Sequence, residues 1–313
     1  MQVIRGLHNL RAEHRGCVAT IGNFDGVHLG HQEVFRHLLA KAAELGLPAI
    51  VVTFEPQPQE FFSPDQAPAR LTRMREKLMA IKDSGIHRVV VLEFGPKLAS
   101  MSADEFVQEL LVDGLGARYL FIGDDFRFGK GRSGDFDTLR QAGHEQGFGV
   151  ENINTYAMGE ERVSSTRIRS ALAGGDLDLA RRNLGRPYRI FGRVAHGDER
   201  GRTIGFPTAN IDLHRKVSPL RGVYAVRVAG LGTESRNGVA NIGTRPTVKG
   251  DSRYLLEVYL FDFDRSIYGE HIEVEFCRKL RDEKRFDSFD ELKQQIVRDT
   301  RSARAFFGMP VNS

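Results

Sequence analysis

Short apolar runs alternate with helical patterns through the first half of the chain. CVATIG (17–22), PAIVVTF (48–54), HRVVVLEF (87–94), ARYLFIG (117–123) and FGVENINTY (148–156) have the length and β-branched content of strands. Between the first two, EVFRHLLAKAAELG (33–46) puts Val34, Leu38 and Leu39 on one helical face, with Gly46 as its stop. Further helices are predicted over 71–85, 102–114 and 137–147. Strands that are apolar throughout and separated by helices predict a parallel sheet covered on both faces. Such sheets bind ligands beyond the carboxyl ends of their strands.

Two short helical pieces, STRIRSALAGG (165–175) and LDLARRNLG (177–185), close this pattern. From Arg186 onward the chain reads as β: YRIFGRVAHG, GVYAVRVAG, NGVANIG, YLLEVYLFDF and HIEVEFCRKL, punctuated by Gly, Pro, Asn and Asp. Several short strands within about 100 residues predict an antiparallel barrel or sandwich. A last helix is predicted from Ser288, where Glu291 completes a capping box and Leu292, Ile296 and Val297 point inward. The expected organisation is an α/β domain over 1–185 followed by a β domain over 186–313, and 313 residues are enough for both.

Charge and cysteine usage narrow the function classes. A net charge of +4 suits anionic ligands but is too mild to argue for nucleic acid. Acidic strings such as FDFD in the β half are unlike the basic, aromatic-studded strand face of an RNA-binding module. The two cysteines, Cys17 and Cys277, are far apart and lack CxxC spacing, so neither a disulfide scaffold nor a cysteine metal site is expected. No apolar run reaches the roughly 18 residues of a membrane helix. The start, MQVIRGLHNL, has no apolar signal core. A cytoplasmic chain is expected, monomeric or weakly homo-oligomeric, without membrane or nucleic-acid partners.

IGNFDGVHLGH (21–31) lies where the first long strand ends and the first helix starts. His28 and His31, three apart, project from one helical face. A helix N-terminus offers free N–H groups and partial positive charge to a phosphate, and Gly26 and Gly30 leave room for its approach. Asn23 and Asp25 are placed to orient the loop or hold a cation. Taken alone, the pair is more simply a capped turn with two solvated histidines. A metal would want a third ligand, and HxGH lacks the HExxH base. GKGRSG (129–134) matches GxGxxG but follows the wrong strand for a dinucleotide fingerprint. SSTRIR (164–169) opens a helix at the same sheet edge, where Arg167 would complete a phosphate clamp or Ser and Thr would simply cap. GDERGRTIGFPTANI (197–211) fails as a Walker A loop, with Arg202 where lysine is required. Its Thr208 and Asn210 fall on one strand face and offer oxygens for Mg²⁺. Glu257, inside an apolar strand, is either an outward surface residue or a buried acid with a task.

IGNFDGVHLGHQ, TFEPQP, GDDFRFGKGRSGD and SSTRIR together resemble the FMN adenylyltransferase half of the prokaryotic bifunctional riboflavin kinase/FAD synthetases. GRTIGFPTANI, RGVYAV, NIGTRPTV, LEVYLFDFDRSIYG and LRDEKRFDSFDELKQQI resemble the riboflavin kinase half, in family order across the whole chain. The resemblance implies a Rossmann-like nucleotidyltransferase domain followed by an antiparallel β-barrel domain with a terminal helix. It implies phosphorylation of riboflavin to FMN and adenylylation of FMN to FAD, each with ATP and Mg²⁺. By likeness, His28, His31 and Glu257 are catalytic, and Glu257 is the base of the kinase step. Asn23, Gly30, Ser165, Thr166, Arg167, Gly201, Arg202 and Gly205 would hold ATP and its phosphates. Phe62, Asp125 and Phe126 would hold flavin, and Thr208 and Asn210 the metal. The chain departs from the family pattern at Gln57, Tyr259, Ser266 and Ile267. Rival expectations are another HxGH nucleotidyltransferase, such as a cytidylyltransferase or pantetheine-phosphate adenylyltransferase with an appended β domain, and a non-catalytic flavin-binding relative.

Overall fold

The computed structural model describes residues 1–153, 156–158, 161–195, 206–213, 217–246 and 252–310. They divide into two compact units, Met1–Pro68 with Thr72–Ser164, and Ala69–Leu71 with Ser165–Ser313.

The first unit holds β1 (Gln2–Arg5), β2 (Cys17–Ile21), α1 (Leu29–Leu45), β3 (Ala49–Glu55), α2 (Pro58–Phe62), α3 (Met74–Asp83) and β4 (Arg88–Glu93). After them come α4 (Pro96–Ser100), α5 (Ala103–Phe106), β5 (Ala117–Gly123), α6 (Phe136–Gln146), β6 (Gly149–Ile153) and the two-residue strands β7 (Ala157–Met158) and β8 (Glu161–Arg162). Six strands form one parallel sheet in the order β1-β4-β3-β2-β5-β6. Alternate residues of a strand face opposite sides. Ala19, Ile21, Ile50, Val52, Val90 and Leu92 therefore enter one buried cluster, and Val18, Val51, Val89 and Val91 the other. Both faces are dry, which is why these strands read as continuous apolar runs.

Several boundaries differ from the pattern. β1 escapes it, because among its four residues Ile4 alone is buried. Helix α1 starts at Leu29 and buries Phe35, Leu38 and Ala42, while Val34 and Leu39 are half-buried at the margin. Gly46 ends it in the left-handed region as expected, with φ 64°. The stretch 102–114 is not one α-helix: after α5 the turns widen to π geometry over Val107–Gly114. The amide of Leu115 then reaches back to the Leu110 carbonyl at 2.9 Å. A Cβ on Gly114 would lie 2.8 Å from the Glu109 carbonyl oxygen, so the widened turn needs a glycine there.

The second unit comprises α7 (Ser165–Gly174), α8 (Leu177–Leu184), β9 (Arg189–Ala195), β10 (Thr208–Asp212), β11 (Gly222–Ala229), β12 (Arg236–Pro246), β13 (Ser252–Leu260), β14 (His271–Arg281) and α9 (Phe289–Phe306). The strands close an antiparallel barrel in the order β10-β13-β12-β11-β14-β9. Its interior is filled by Ile190, Val194, Ile211, Tyr224, Val226, Ile242, Leu256, Val258 and Val274, among others. Tyr224 satisfies its buried hydroxyl by donating to the Arg221 carbonyl at 2.8 Å, and burial pushes its pKa up to about 12. Ser288 caps α9 as expected, accepting from the Glu291 amide at 3.2 Å. The inward line of α9 differs: Leu292, Ile296 and Val297 are half-buried, and the buried residues are Asp299, Ala303 and Arg304. Arg281 forks onto Asp299 at 2.8–3.0 Å and Arg304 reaches Asp262 at 2.6 Å, so ion pairs help to seat this helix.

Candidate active sites

Strand β2 is where the sheet order reverses: β3 and β4 continue on one side, β5 and β6 on the other. The crevice outside the carboxyl end of such a strand is the ligand site of open α/β sheets. NFDGVHLGH leaves β2 at that point. Its turn carries positive φ at Phe24 (47°), Gly26 (86°) and Val27 (43°). Asp25 is buried and accepts from the Thr72 amide at 3.0 Å and the Thr72 hydroxyl at 3.3 Å, while the Gly26 amide donates to Thr72 Oγ1 at 2.9 Å. Asp25 thus orients the loop. His28 is not solvated: it is buried as the N-cap of α1, and its Nδ1 accepts from the amide of the half-buried His31 at 3.4 Å. With Nδ1 accepting, the proton of the neutral ring sits on Nε2, a donor. The His28 and His31 rings stack at 3.6 Å and 18°, and His31 meets the Phe24 ring edge-on at 5.2 Å. A Cβ on Gly30 would lie 3.2 Å from the His28 ring and 3.6 Å from the Val163 carbonyl. Gly30 therefore leaves room beside the His28 ring. Ser165, Thr166 and Arg167 open α7, which belongs to the second unit.

The expected flavin residues follow the same carboxyl edge. Phe62 ends α2, just past β3, and is 63% exposed. Its ring packs with Phe61 and Phe94 at 5.3 and 5.5 Å, a ready stacking platform. Asp125, past β5, is exposed and pairs with Arg162 at 3.2 Å. Phe126 is half-buried and stacks on Phe128 at 5.7 Å. GKGRSG is a structural clip: Phe128 pairs with Gly134 and the Lys130 amide donates to the Met101 carbonyl at 2.7 Å.

In the barrel, Leu256 and Val258 point inward, so Glu257 faces out and is half-buried. Cross-strand register sets Glu257 opposite Asn210 of β10 on one side and Asn241 of β12 on the other. Directly opposed residues have Cβ atoms about 4.5–5.5 Å apart, so the acid is flanked by two amides. Thr208 is paired with Tyr259 one step along the same face. Asn210 Nδ2 donates to the Thr208 carbonyl at 3.3 Å, which leaves Oδ1 as its acceptor. Thr208, Asn210 and Glu257 are thereby brought together. Gly201, Arg202 and Gly205 lie outside the described residues. Neither thiol is poised as a nucleophile. Burial pushes Cys17 up to about 12, and burial followed by the Glu275 charge raises Cys277.

A model of the FAD synthetase family matches residues 10–167, and a model of the riboflavin kinase family matches residues 184–307. The bifunctional riboflavin kinase/FMN adenylyltransferase of Haemophilus influenzae is 54% identical over 307 residues, covering 98% of this chain and 99% of the relative. The chain belongs to the bifunctional riboflavin kinase/FMN adenylyltransferase family. The Escherichia coli K12 member is 53% identical over 310 residues, with 99% of each chain covered. A crystal structure titled as a macrolide-efflux protein from Streptococcus pneumoniae superposes with a TM-score of 0.79 at 31% identity, covering 96% of this chain and 97% of that one. Among the described residues no helix is long and apolar enough to cross a membrane. Within this family's frame, the departures have different settings. Gln57 is the buried N-cap residue of α2, Tyr259 packs on Phe206 at 5.2 Å, Ser266 is exposed and Ile267 is buried.

Some residues around the two sites were not expected from the sequence. Thr72 clamps the turn that follows β2, and Lys77, wholly buried, donates to Thr53 beneath it. The signal for Lys77 was its spacing, three after Met74 and four before Ile81, on the inward face of α3. In the barrel, a Cβ on Gly243 would collide with the Glu283 carboxylate, which puts a second acid on the Asn241 face. The pairing of β11 with both β12 and β14 brings the two together.

Proposed function

We infer that this chain phosphorylates riboflavin to FMN and then adenylylates FMN to FAD, using one ATP in each step. The observation that carries this reading is the contrast between its two sites, each fitted to a different nucleophile. In adenylylation the FMN phosphate attacks the α-phosphorus of ATP and pyrophosphate leaves. That nucleophile is already an anion and needs no base, only donors where negative charge grows. The first unit offers His28 Nε2–H, His31, the N-terminus of α1 and the Asn23–Gly30 turn. Ser165, Thr166 and Arg167, which open α7, are proposed to bind ATP phosphates. Phe62, Asp125 and Phe126 are proposed to hold the isoalloxazine. The adenylylation domain would be 1–185 and the kinase domain 186–313.

The riboflavin 5′-hydroxyl is a neutral alcohol, so the second site needs a proton acceptor, and Glu257 is proposed for it. Mg²⁺, when bound, would neutralise charge on the transferring phosphate. Thr208 Oγ1 and Asn210 Oδ1 fit a hard cation that takes one or two protein oxygens and completes its shell with phosphates and water. Gly201, Arg202 and Gly205 are proposed to cover the ATP phosphates. A cytoplasmic monomer or weak homo-oligomer is proposed, without a nucleic-acid partner.

Chromatography of the purified chain with riboflavin and Mg-ATP tests the reading, with FMN and FAD expected. Flavin bound without turnover would instead favour a non-catalytic binding relative. Glu257→Gln should abolish FMN formation yet leave conversion of supplied FMN to FAD, and loss of both activities would refute two independent sites.

A further inference from the structure

Beneath the turn that follows β2 lies a wholly buried lysine. Lys77 is 0% exposed on α3. Its ammonium donates to the Thr53 hydroxyl at 3.4 Å, and that hydroxyl donates to the Asn23 carbonyl at 3.2 Å. Lysine is among the residues least often wholly buried, because its charge must leave water. An apolar side chain of similar volume would fill the same space without that penalty. The charge calls for another reason.

The Asn23–Phe24 peptide supplies one. In a trans peptide the carbonyl and the following N–H point to opposite sides. With the Asn23 carbonyl held down on Thr53, the Phe24 N–H is directed away from it. A donor on the carbonyl also polarises the peptide and strengthens its N–H, since chained hydrogen bonds reinforce one another. The turn is costly to hold: Phe24 and Val27 adopt positive φ without being glycine. Successive amides in such mixed right- and left-handed backbone form anion-binding concavities. Thr72 fixes the far side of the turn through Asp25 and Gly26. Thr72 and Lys77 belong to adjacent turns of chain around the start of α3, so one segment braces the loop at two points.

We propose that Lys77 is a positioning residue for adenylylation. It acts through Thr53 on the Asn23–Phe24 peptide, so that the turn presents a polarised N–H and a fixed positive potential to the ATP phosphates and the departing pyrophosphate. The proposal rests on the adenylylation reading of the first unit.

The test uses the full chain, whose riboflavin kinase reaction serves as an internal control. FAD formation from FMN and ATP, FMN formation from riboflavin and ATP, and calorimetric binding of inorganic pyrophosphate and of adenosine are measured for wild type, Lys77→Met, Thr53→Val and Thr53→Ser. Removing a direct transition-state donor costs about 10²–10³ in kcat, and an effect relayed through a hydroxyl should be smaller, about tenfold. Lys77→Met should lower the kcat of adenylylation by about that factor, weaken pyrophosphate more than adenosine, and leave riboflavin phosphorylation unchanged. Should Lys77→Met fail to fold, the Thr53 pair decides: Val should fall in the same direction and Ser should hold near wild type. Unchanged adenylylation in Lys77→Met would overturn the proposal. So would equal weakening of pyrophosphate and adenosine, or equal damage from Thr53→Val and Thr53→Ser, since both mark a packing role. A wild-type chain that makes no FAD would instead overturn the reading of the site itself.

Discussion

His28 has a capping duty in this structure and a proposed donor duty, and a pair of substitutions separates them. Its Nδ1 caps α1 by accepting from the His31 amide at 3.4 Å, and its Nε2–H is proposed to donate to a phosphate. His28→Ala removes both. His28→Asn keeps an acceptor of the kind preferred at helix N-caps but removes the imidazole. Loss of one transition-state donor is worth about 2.7–4 kcal/mol, or 10²–10³ in kcat, so both variants should make FAD at or below about a hundredth of the wild-type rate. The cap is worth about 1 kcal/mol at most helices, and the long 3.4 Å contact puts it in the lower half of that range. Only His28→Ala should lose it, a difference of about 2 °C in the melting of a unit this size. The ring stack on His31 is lost in both and cancels between them. The assay follows FAD formation from supplied FMN, with riboflavin phosphorylation in the same chain as the measure of intact protein. If His28→Asn keeps more than about a tenth of the adenylylation rate, the histidine is only a cap, and the donor role falls.

Two further outcomes follow from charges outside the reaction centres. Asp299 is buried and receives Arg281 and the Gln295 amide, so Asp299→Ala should cost about 3 kcal/mol in denaturant unfolding of the second unit. That is the low end for a buried pair because Arg281 keeps some water, and an unchanged midpoint would show that α9 docks without it. Asp135 caps α6, and the Thr138 amide and then its hydroxyl hold the Asp135 carboxyl below its ordinary value. A carboxyl lowered in the folded state contributes stability above its unfolded pKa and loses it as pH falls through the folded one. Asp135→Asn should therefore be less stable than wild type near neutrality and converge with it at acid pH. Parallel melting curves across the range would contradict the cap.

Strands β2 to β4 were legible because both faces of the sheet are dry there and their runs are almost wholly apolar, whereas β5 and β6 carry Arg118, Glu151 and Asn152 at less buried positions. β1 was not, since one buried isoleucine in four residues is no pattern. The location of the HxGH turn followed from the strand–helix order, but the burial and stacking of His28 did not. They depend on a left-handed turn at Phe24 and Val27, where local preference argues against such backbone. Alternation along PTAN and along β13 placed Thr208 with Asn210 and turned Glu257 outward. Bringing them side by side required the register that barrel closure sets between β10 and β13.

The misread positions share a physical cause. A binary pattern treats every charged residue as solvent-facing, yet Asp25, Lys77, Asp299 and Arg304 are all buried. The inward face of α9 was assigned to Leu292, Ile296 and Val297 for that reason, and Lys77 was passed over on a face otherwise apolar. Replacing such buried charges with apolar groups is often neutral for stability, so stability alone does not explain their place. What each one does is fix a position: Asp25 and Lys77 hold the turn that follows β2, and Asp299 and Arg304 seat a helix against the barrel. The apolar pattern thus builds the two frames, and the buried polar groups it misassigns fix the turn that follows β2 and the seat of α9.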